Sequence, residues 1–555
     1  MIPAPVAGSA RVRNAEGSAR PRSLCAAHGP CHPASMVRRL LRMLCLTAVV
    51  CAALPSGPRA ATDRDPRLAA LVGNWRGQAE WNGSRSPLAL SFTSADSGRV
   101  RVAFTIPALQ ARDEALGRAR LRGDTLLAGP FVFAWDSTAR TLTGVLPREL
   151  VPVHAIPVTL TPGPALVAEP REPLEAPARE PVWRFEAGAA LWSDLEAGMG
   201  LVFAGGDDGV LHAVSVRTGR ERWRFVTGGR LRARPTLVMS SLYVHSDDGW
   251  LYRLDAGTGK RRWRVRLEPD SVVRIPIDQP GSRYDFYGSG VAVWGGTLYV
   301  GTHDGRVLAL DPTDGHTVWS ATTGGPVLAT PGLADGRVFV GSYDGRVYAF
   351  DAGVGEKLWS FDTGAAVTAT PVPDRGVVVI GSRSYDLFGL DAVTGEVRWN
   401  RYLWYSWIES SARIADGIAY VGSSDASRLF ALDTRTGSQR WESDLHGISW
   451  GRPAVTFDRV YAAVRYSPSI ATHEANLLAL DRESGRALWR YACDRPAGAT
   501  HRGFGASPVV ANGRVLVGGL DGTLYAFEEA DPVPGARRPA KRRVPVRSQP
   551  ATPTR

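Results

Sequence analysis

A tryptophan recurs at nearly regular intervals along the second two-thirds of this 555-residue chain. Successive members lie 40, 40, 56, 40, 40, 42 and 48 residues apart. The eight positions are Trp183, Trp223, Trp263, Trp319, Trp359, Trp399, Trp441 and Trp489. Between them, short apolar runs such as 337–341 and 346–350 alternate with turns that contain Asp and Gly. A period of about 40 residues with four short strands per unit predicts a β-propeller.

The repeat also predicts the number of blades and how the ring closes. Seven units end in a tryptophan strand, and an eighth begins at Gly505 but stops without one. The missing strand occurs at residues 181–185, at the start of the repeat region. We therefore expect an eight-bladed propeller over 181–529 whose last blade is closed by residues 181–186, since closure removes exposed strand edges. The eight tryptophans are expected to fill the wedges between blades, so they identify the fold and not a ligand.

A second, smaller domain precedes the propeller. Residues 66–165 contain short alternating runs separated by Gly, Asp and Ser, which predicts a small antiparallel β-barrel or sandwich. Its opening at Gly73 to Trp75 resembles the Gly-x-Trp start of lipocalin-like barrels, and Trp75 is expected to close one end of the core. Residues 166–180, rich in Pro, Ala and Glu, are expected to be a linker. The predicted fold class is therefore all-β.

The net charge of +12 is confined to the two ends of the chain. Residues 1–61 carry eight Arg against one Glu, and residues 531–555 carry seven Lys or Arg against one Asp, which leaves −1 for the body between them. A nearly neutral body lacks the broad basic surface of a nucleic-acid-binding protein, so no nucleic acid partner is expected. The basic tail at 530–555 is expected to be disordered, and peripheral association with a membrane stays open for it.

The N-terminal extension, residues 1–61, has the pattern of a signal peptide. Arginines at 38–42 precede an apolar run at 43–54 that is too short to span a bilayer and is followed by small residues. We expect export to the periplasm or cell envelope. Cys51 matches a lipoprotein box poorly, so a lipid anchor is the less favoured alternative. After cleavage Cys493 is the only cysteine, so no disulfide can form within the chain.

The motif Ala-x-Asp-x-x-x-Gly-x-x-x-Trp, as at 309–319 and 349–359, resembles the tryptophan-docking motif of PQQ-type eight-bladed propellers. The resemblance covers 181–527 and implies two branches, the quinoprotein alcohol dehydrogenases and the non-enzymatic propeller of the bacterial outer-membrane β-barrel assembly machinery. The dehydrogenase branch implies PQQ, an adjacent cysteine pair, a Ca²⁺ held by Glu and Asn, and a catalytic Asp. The mature sequence has no adjacent cysteine pair and only three Asn in the propeller, which favours the binding branch. No cofactor is then expected, and PQQ with Ca²⁺ belongs to the alternative.

Candidate binding residues lie where each inner strand enters the central channel of a propeller. Counting back from each second strand gives a ring of hydroxyl side chains broken by two arginines. They are Ser193, Arg234, Ser289, Thr330, Thr370, Ser411, Arg452 and Ser507. A hydroxyl before Pro can serve only to shape the strand, whereas an arginine directed into a channel needs water, an acidic partner or an anionic ligand. The chain has no Gly-x-Ser-x-Gly, His-Glu-x-x-His or phosphate-loop motif, so no catalytic residue is predicted.

Aromatic residues cluster in the loops that lead into the inner strands on this same upper face. They are Tyr402, Trp404, Tyr405, Trp407 and Trp450. Aromatic side chains beside arginine resemble the anchors of an interface, although packing over the channel mouth is an alternative. The sequence therefore predicts a monomeric, non-enzymatic binding or scaffolding protein whose upper face engages a protein or peptide partner in the cell envelope. A metal site is the less favoured hypothesis for four residues in loops of the last two blades, namely His446, His473, Cys493 and His501.

Overall fold

The computed structural model describes residues 61–95, 98–109, 111–167, 171–269, 272–273, 286–467, 473–493 and 502–529. The signal-peptide region, the basic tail and His501 lie outside the described residues, so the predictions made for them stay predictions. Across the described ranges, no helix has the length and apolar composition needed to cross a membrane.

The N-terminal domain is a single antiparallel sheet of nine strands that curls into a nearly closed barrel. Its strands are Gly73–Trp81, Ser84–Ala95, Arg99–Ile106, Ala111–Arg118, Arg120–Arg122, Thr125–Ala128, Phe131–Asp136, Thr141–Val145 and Pro157–Pro162. The first strand pairs with both the second and the ninth, which joins the two halves of the meander. Short 3-10 helices at Pro66–Leu71 and Pro107–Leu109 complete the domain.

The core of this barrel follows from alternation along its strands. In Phe131–Asp136, buried and exposed residues alternate without exception, because successive side chains of a strand point to opposite faces. Trp75 is 2% exposed and its indole N–H donates to the carbonyl oxygen of Leu71 at 2.8 Å. The ring therefore closes the barrel against the helix Pro66–Leu71 and keeps its polar atom bonded.

The propeller consists of eight four-stranded antiparallel sheets, numbered here as blades 1 to 8 in chain order. Blades 1 to 4 are Glu196–Gly198, Leu201–Gly205, Val210–Ser215, Glu221–Val226; Thr236–Val238, Ser241–His245, Trp250–Asp255, Arg261–Arg266; Ala292–Trp294, Thr297–Gly301, Arg306–Leu310, Thr317–Thr322; and Gly332–Ala334, Arg337–Gly341, Arg346–Asp351, Lys357–Asp362. Blades 5 to 7 are Val372–Asp374, Val377–Gly381, Asp386–Asp391, Val397–Tyr402; Arg413–Ala415, Ile418–Gly422, Arg428–Asp433, Gln439–Asp444; and Ala454–Val455, Arg459–Ala463, Asn476–Asp481, Ala487–Ala492. Arg465–Tyr466 and Arg502–Gly503 form a separate two-stranded ribbon.

The ring closes in the way the repeat predicts. Blade 8 takes Val509–Ala511, Arg514–Gly518 and Thr523–Glu528 from the end of the repeat region and Trp183–Glu186 from its beginning. Trp183 pairs with Ala526 across this junction. The predicted all-β fold, an eight-bladed propeller behind a small barrel-like domain, is confirmed.

Seven of the eight tryptophans dock on the next blade through one repeated contact. Each indole N–H donates to a backbone carbonyl of the following blade, at distances from 2.9 to 3.3 Å. Each ring also lies against a glycine of that blade with positive φ, as Trp319 lies against Gly355. A Cβ added at Gly355 would sit 2.6 Å from the ring, so the close approach requires glycine.

Trp489 is the exception. The third and fourth strands of blade 8 come from opposite ends of the repeat region, so no turn connects them directly to supply this contact. Its indole nitrogen is buried without a hydrogen-bond partner among the described residues. The linker fills this gap: Arg179 donates its N–H to the carbonyl oxygen of Arg490 at 2.8 Å and places its guanidinium 5.5 Å from the centroid of the Trp489 ring. The linker thus takes over part of the docking contact at the closure point.

Candidate functional site

The channel mouth is built from one position of each blade, seven residues before the second strand. The ring consists of Asp194, Arg234, Gly290, Thr330, Thr370, Ser411, Arg452 and Ser507. In two blades the sequence pattern predicts Ser193 and Ser289, each one residue before the position that the structure shows. Ser193 and Ser289 are buried, and their hydroxyls accept the N–H groups of Gly205 and Gly301 within their own blades. Of the two ring residues that the sequence pattern misses, Asp194 is the charged one. A uniform spacing of seven residues before the second strand identifies it.

The neutral members of the ring tie neighbouring blades together. Thr330 Oγ1 accepts the N–H of Gly290 at 3.1 Å, and Ser411 Oγ accepts that of Thr370 at 2.8 Å. Ser507 Oγ accepts the N–H of Arg452 at 2.7 Å. Each of these contacts joins one blade to the next, so the hydroxyls satisfy backbone donors that would otherwise be unpaired at the strand ends.

The charged members of the ring form a cluster with the next channel-lining residues. Arg234 Nη2 lies 2.6 Å from Glu196 Oε2, and Asp194 Oδ1 accepts the N–H of Ser507 at 2.8 Å. Burial raises the pKa of Glu196 even though Arg234 opposes this shift. Burial, followed by the positive charge of Arg234, lowers the pKa of Arg452 to about 10. Arg452 therefore remains a cation at neutral pH, held in an environment that disfavours its charge.

Phe286 and Tyr287, just before blade 3, reach across the upper mouth of the channel. Phe286 stacks on Trp192 of blade 1 with ring centroids 4.4 Å apart and meets Trp450 of blade 7 at 5.4 Å. Tyr287 donates its hydroxyl proton to the carbonyl oxygen of Gly505 in blade 8 at 2.7 Å. The side chain of Trp450, predicted as a partner contact, is 5% exposed. Its position agrees with the alternative reading, packing over the channel mouth.

The aromatic loop that follows blade 5 holds the N-terminal domain. Tyr402, Trp404 and Tyr405 are buried and belong to the same core cluster as the interior of the barrel. The indole N–H of Trp404 donates to Ser84 Oγ at 2.8 Å, and the hydroxyls of Ser86 and Tyr405 lie 3.2 Å apart. The sequence pattern predicts these rings as anchors for a separate partner, whereas in the structure the chain's own N-terminal domain packs on them. No local signal could have shown this contact, because the two sides lie about 320 residues apart in sequence.

A polar contact lies within the same domain interface. His154 Nε2 is 2.8 Å from Asp386 Oδ2, and Asn400 donates to the other carboxylate oxygen at 3.2 Å. The imidazole ring stacks on Trp81 at 4.5 Å and meets the edge of Tyr402 at 5.4 Å. Burial raises the pKa of Asp386, and the bond to His154 opposes that shift. The interface therefore satisfies its buried carboxylate, as a stable domain contact requires.

Trp407, the fourth aromatic residue of this loop, is partly buried against the same core cluster and also contacts an ion pair. The guanidinium of Arg383 lies 4.7 Å from the Trp407 ring centroid and 2.5 Å from Glu409. Both charged side chains are nearly inaccessible to solvent. These contacts hold the loop on the propeller, and the N-terminal domain packs on the same loop.

The residues of the hypothetical metal site do not converge. The ligand atoms of His446, His473 and Cys493 do not gather within 4.8 Å of one another, and His501 lies outside the described residues. His473 Nε2 instead bonds to the hydroxyl of Ser427 at 2.9 Å. Burial lowers the pKa of His473 to about 3, so its imidazole is neutral. These contacts are those of a buried, hydrogen-bonded histidine.

Comparison with known families identifies the repeat region. A match to the family described as outer membrane protein assembly factor BamB extends over residues 173–285, 276–419 and 425–533. The chain belongs to this family. Membership confirms the PQQ-type propeller predicted from the tryptophan-docking motif.

Individual relatives include members of the dehydrogenase branch. The chain is 30% identical over 122 residues to the quinoprotein alcohol dehydrogenase PedH of Pseudomonas putida. This match covers 20% of this chain and 20% of the relative. It is 34% identical over 124 residues to a quinoprotein ethanol dehydrogenase of Pseudomonas aeruginosa, covering 21% of this chain and 19% of the relative. The chain thus matches about a fifth of the length of these curated relatives. Among solved structures, the computationally designed Ika8 protein matches with a TM-score of 0.51 and 17% identity, over 62% of this chain and 97% of that one, which concerns the fold alone.

Proposed function

We propose that the protein is an exported, non-enzymatic scaffold of the cell envelope whose propeller engages a protein partner at its lower channel mouth. The supporting observation is a set of apolar side chains at the tips of the inner hairpin turns. They are Met199, Met239, Trp294 and Phe457, with 58%, 90%, 44% and 37% of their surface exposed. The side chains lie in or next to the inner turns of blades 1, 2, 3 and 7 and border part of the channel at the end opposite to Trp450. Apolar side chains exposed around one rim are typical of a protein interface.

The two methionines occupy positions that carry a conformational cost. Met199 and Met239 have φ values of 56° and 54°, in the left-handed region. The equivalent turns of blades 4, 6 and 8 carry Asp335, Asp416 and Asn512, the residue types that tolerate this conformation best. A long apolar side chain there adds about 1 kcal/mol of backbone strain and exposes apolar surface to water. Since neither effect favours folding, we infer that these side chains serve binding.

Basic side chains lie beside the methionines on the same face. Arg217, Arg220 and Lys260 are exposed in the turns that follow the third strands of blades 1 and 2. The N–H of Val216 donates to the carbonyl oxygen of Gly200 at 3.0 Å, which holds this turn against that of Met199. A partner surface that combines apolar and acidic groups would complement this rim. The lower rim replaces the upper face as the proposed contact, because the upper-face aromatic loop is covered by the N-terminal domain.

Replacing both methionines with Asn is expected to reduce partner contact at least about tenfold, the ratio that corresponds to about 1.4 kcal/mol. The same change is expected to leave the melting temperature unchanged or to raise it, since Asn tolerates positive φ. A photoreactive amino acid at Lys260, introduced into the full-length protein in cells, would measure the contact as a cross-linked envelope protein identified by mass spectrometry.

The matched control for this experiment is Asp335→Asn, which alters the equivalent turn of blade 4 and should leave the cross-link intact. A cross-linked species of equal yield in wild type and the double methionine variant would contradict the proposal. Absence of any cross-link from Lys260 in the wild type would contradict it as well.

The similarity to quinoprotein dehydrogenases favours a second candidate, the PQQ-dependent oxidation of alcohols. The described residues do not fit this cofactor well. Cys493 is the only cysteine among them, and the channel carboxylates Asp194 and Glu196 are already bonded to Ser507 and Arg234. The only described cluster of three acidic or imidazole ligands is the exposed turn of Asp311, Asp314 and His316.

Addition of PQQ and Ca²⁺ to the purified protein, with ethanol and an electron-accepting dye, tests this second candidate. We expect no dye reduction above a denatured control. Reduction that depends on both PQQ and Ca²⁺ would replace the scaffold by the dehydrogenase as the function of this chain.

A further inference from the structure

The charges that line the central channel lie on one side of its wall. At the mouth position and at the first residue of the inner strand, blades 1, 2, 6 and 7 contribute two carboxylates and three guanidinium groups. They are Asp194, Glu196, Arg234, Arg413 and Arg452. Blades 3 to 5 contribute only small or apolar residues and two threonines at these positions, namely Gly290, Ala292, Thr330, Gly332, Thr370 and Val372. The channel therefore has a cationic wall and a neutral wall that faces it.

The carboxylates of this cluster are already engaged. Glu196 binds Arg234 at 2.6 Å, and Asp194 accepts the N–H of Ser507 at 2.8 Å. By contrast, the guanidinium groups of Arg413 and Arg452 have no hydrogen bond or ion pair within the described part of the chain. The Nε of Arg234 is buried and likewise has no acceptor there. Donors are thus in excess over acceptors in the channel.

We propose that the channel binds a small oxyanion, a carboxylate or a phosphate, between Arg234, Arg413 and Arg452. Guanidinium groups present several N–H donors in one plane, which suits the oxygens of both ion classes. Binding would supply acceptors for the unpaired donors and a counter-charge for the excess cation. This site is separate from the partner surface proposed at the lower rim and does not depend on it.

The need for a counter-charge is greatest at Arg452. Its pKa falls to about 10, mainly through burial; the positive charges of Arg234 and Arg413 add to the shift, and the carboxylates of Asp194 and Glu196 oppose it. The cluster sets three guanidinium groups against two carboxylates, so one positive charge has no counter-charge within it, and partial removal of such a charge from water is costly. The placement of Arg234 and Arg452 at the channel mouth and of Arg413 at the start of an inner strand, rather than the shift alone, defines the site.

The position of the site limits the size of the ligand and its route. Phe286 and Tyr287 cross the upper mouth and contact blades 1, 7 and 8, so the described residues close the channel above the arginines. Arg413 is exposed and the Arg234 side chain retains 33% of its surface, so solvent reaches the cluster. Since Phe286 and Tyr287 cross the upper mouth, we expect a small anion to enter from the lower mouth.

Binding is tested on the full-length protein with sodium phosphate, sodium malonate and, at equal ionic strength, sodium chloride. We expect phosphate or malonate at about a hundred times its Kd to raise the melting temperature by several degrees above the chloride value. Isothermal titration calorimetry should give Arg452→Gln and Arg413→Gln a Kd at least about tenfold weaker than wild type. Glu196→Gln should bind more tightly, because it releases Arg234 from its ion pair. Comparison of the phosphate and malonate titrations identifies which oxyanion the site prefers.

The controls separate anion binding from folding. Arg222→Gln removes an exposed arginine on the outer strand of blade 1 and should leave the Kd unchanged. Without anion, Arg452→Gln should melt at the wild-type temperature or above it, since it removes the excess positive charge of the cluster. Arg413→Gln, at an exposed position, keeps the test valid if Arg452→Gln impairs folding. Equal responses of wild type and Arg413→Gln, or no response beyond that to chloride, would overturn the proposal.

Discussion

Replacement of Trp404 with Ala is expected to lower the free energy of unfolding by about 3–5 kcal/mol and to loosen the N-terminal domain from the propeller. The side chain is 9% exposed, packs in the shared core of the two domains, and donates its indole N–H to Ser84. Its removal leaves a cavity at the interface and deprives Ser84 of a hydrogen bond. Calorimetry should therefore resolve an earlier transition for the N-terminal domain, ahead of that of the ring.

Two companion variants sharpen this test. Trp404→Phe retains most of the buried ring and should cost only about 0.5–1.5 kcal/mol, the range of one neutral hydrogen bond. Trp294→Ala removes a tryptophan that is 44% exposed and should have little effect on unfolding. If Trp404→Ala melts in one transition at the wild-type temperature, the aromatic loop does not hold the domain in place.

Replacement of Gly355 with Ala is the second change with a large expected effect, a loss of about 2–5 kcal/mol. A φ of +73° costs a non-glycine residue about 1–2 kcal/mol. The added methyl group would also lie 2.6 Å from the ring of Trp319, so the ring must shift, which adds about 1–3 kcal/mol of overpacking. Urea unfolding followed by circular dichroism measures the change.

Gly376 offers a matched control for this prediction. Its φ of +79° is similar, but an added methyl group would meet only the end of the flexible Arg398 side chain at 3.9 Å. Gly376→Ala should therefore show the backbone cost alone, about 1–2 kcal/mol. Equal losses at the two positions would mean that the contact between Trp319 and Gly355 adds nothing to ring stability.

The candidate site was only partly predictable, and the reason differs from residue to residue. Arg234 and Arg452 were found because their distance along the chain from the second strand is the same in every blade. Asp194 was missed because Ser193 offered the hydroxyl that the pattern favoured, although the structure turns it toward Gly205. The aromatic residues around Trp404 were correctly placed in a loop, but their buried surface depends on Ser84 and Ser86, far away in sequence.

The sequence alone determined the architecture. One blade is a local unit whose turns, apolar runs and tryptophan lie within about 40 residues, so the period predicts the propeller directly. The position of Trp183 at the start of the repeat region predicts how the ring closes. Only the tertiary structure decided what the surfaces do. It placed the barrel on the aromatic loop, closed the upper mouth with Phe286 and left Met199 and Met239 exposed below. These features depend on contacts between segments that are distant in sequence, and a local sequence pattern does not show which distant segments come into contact.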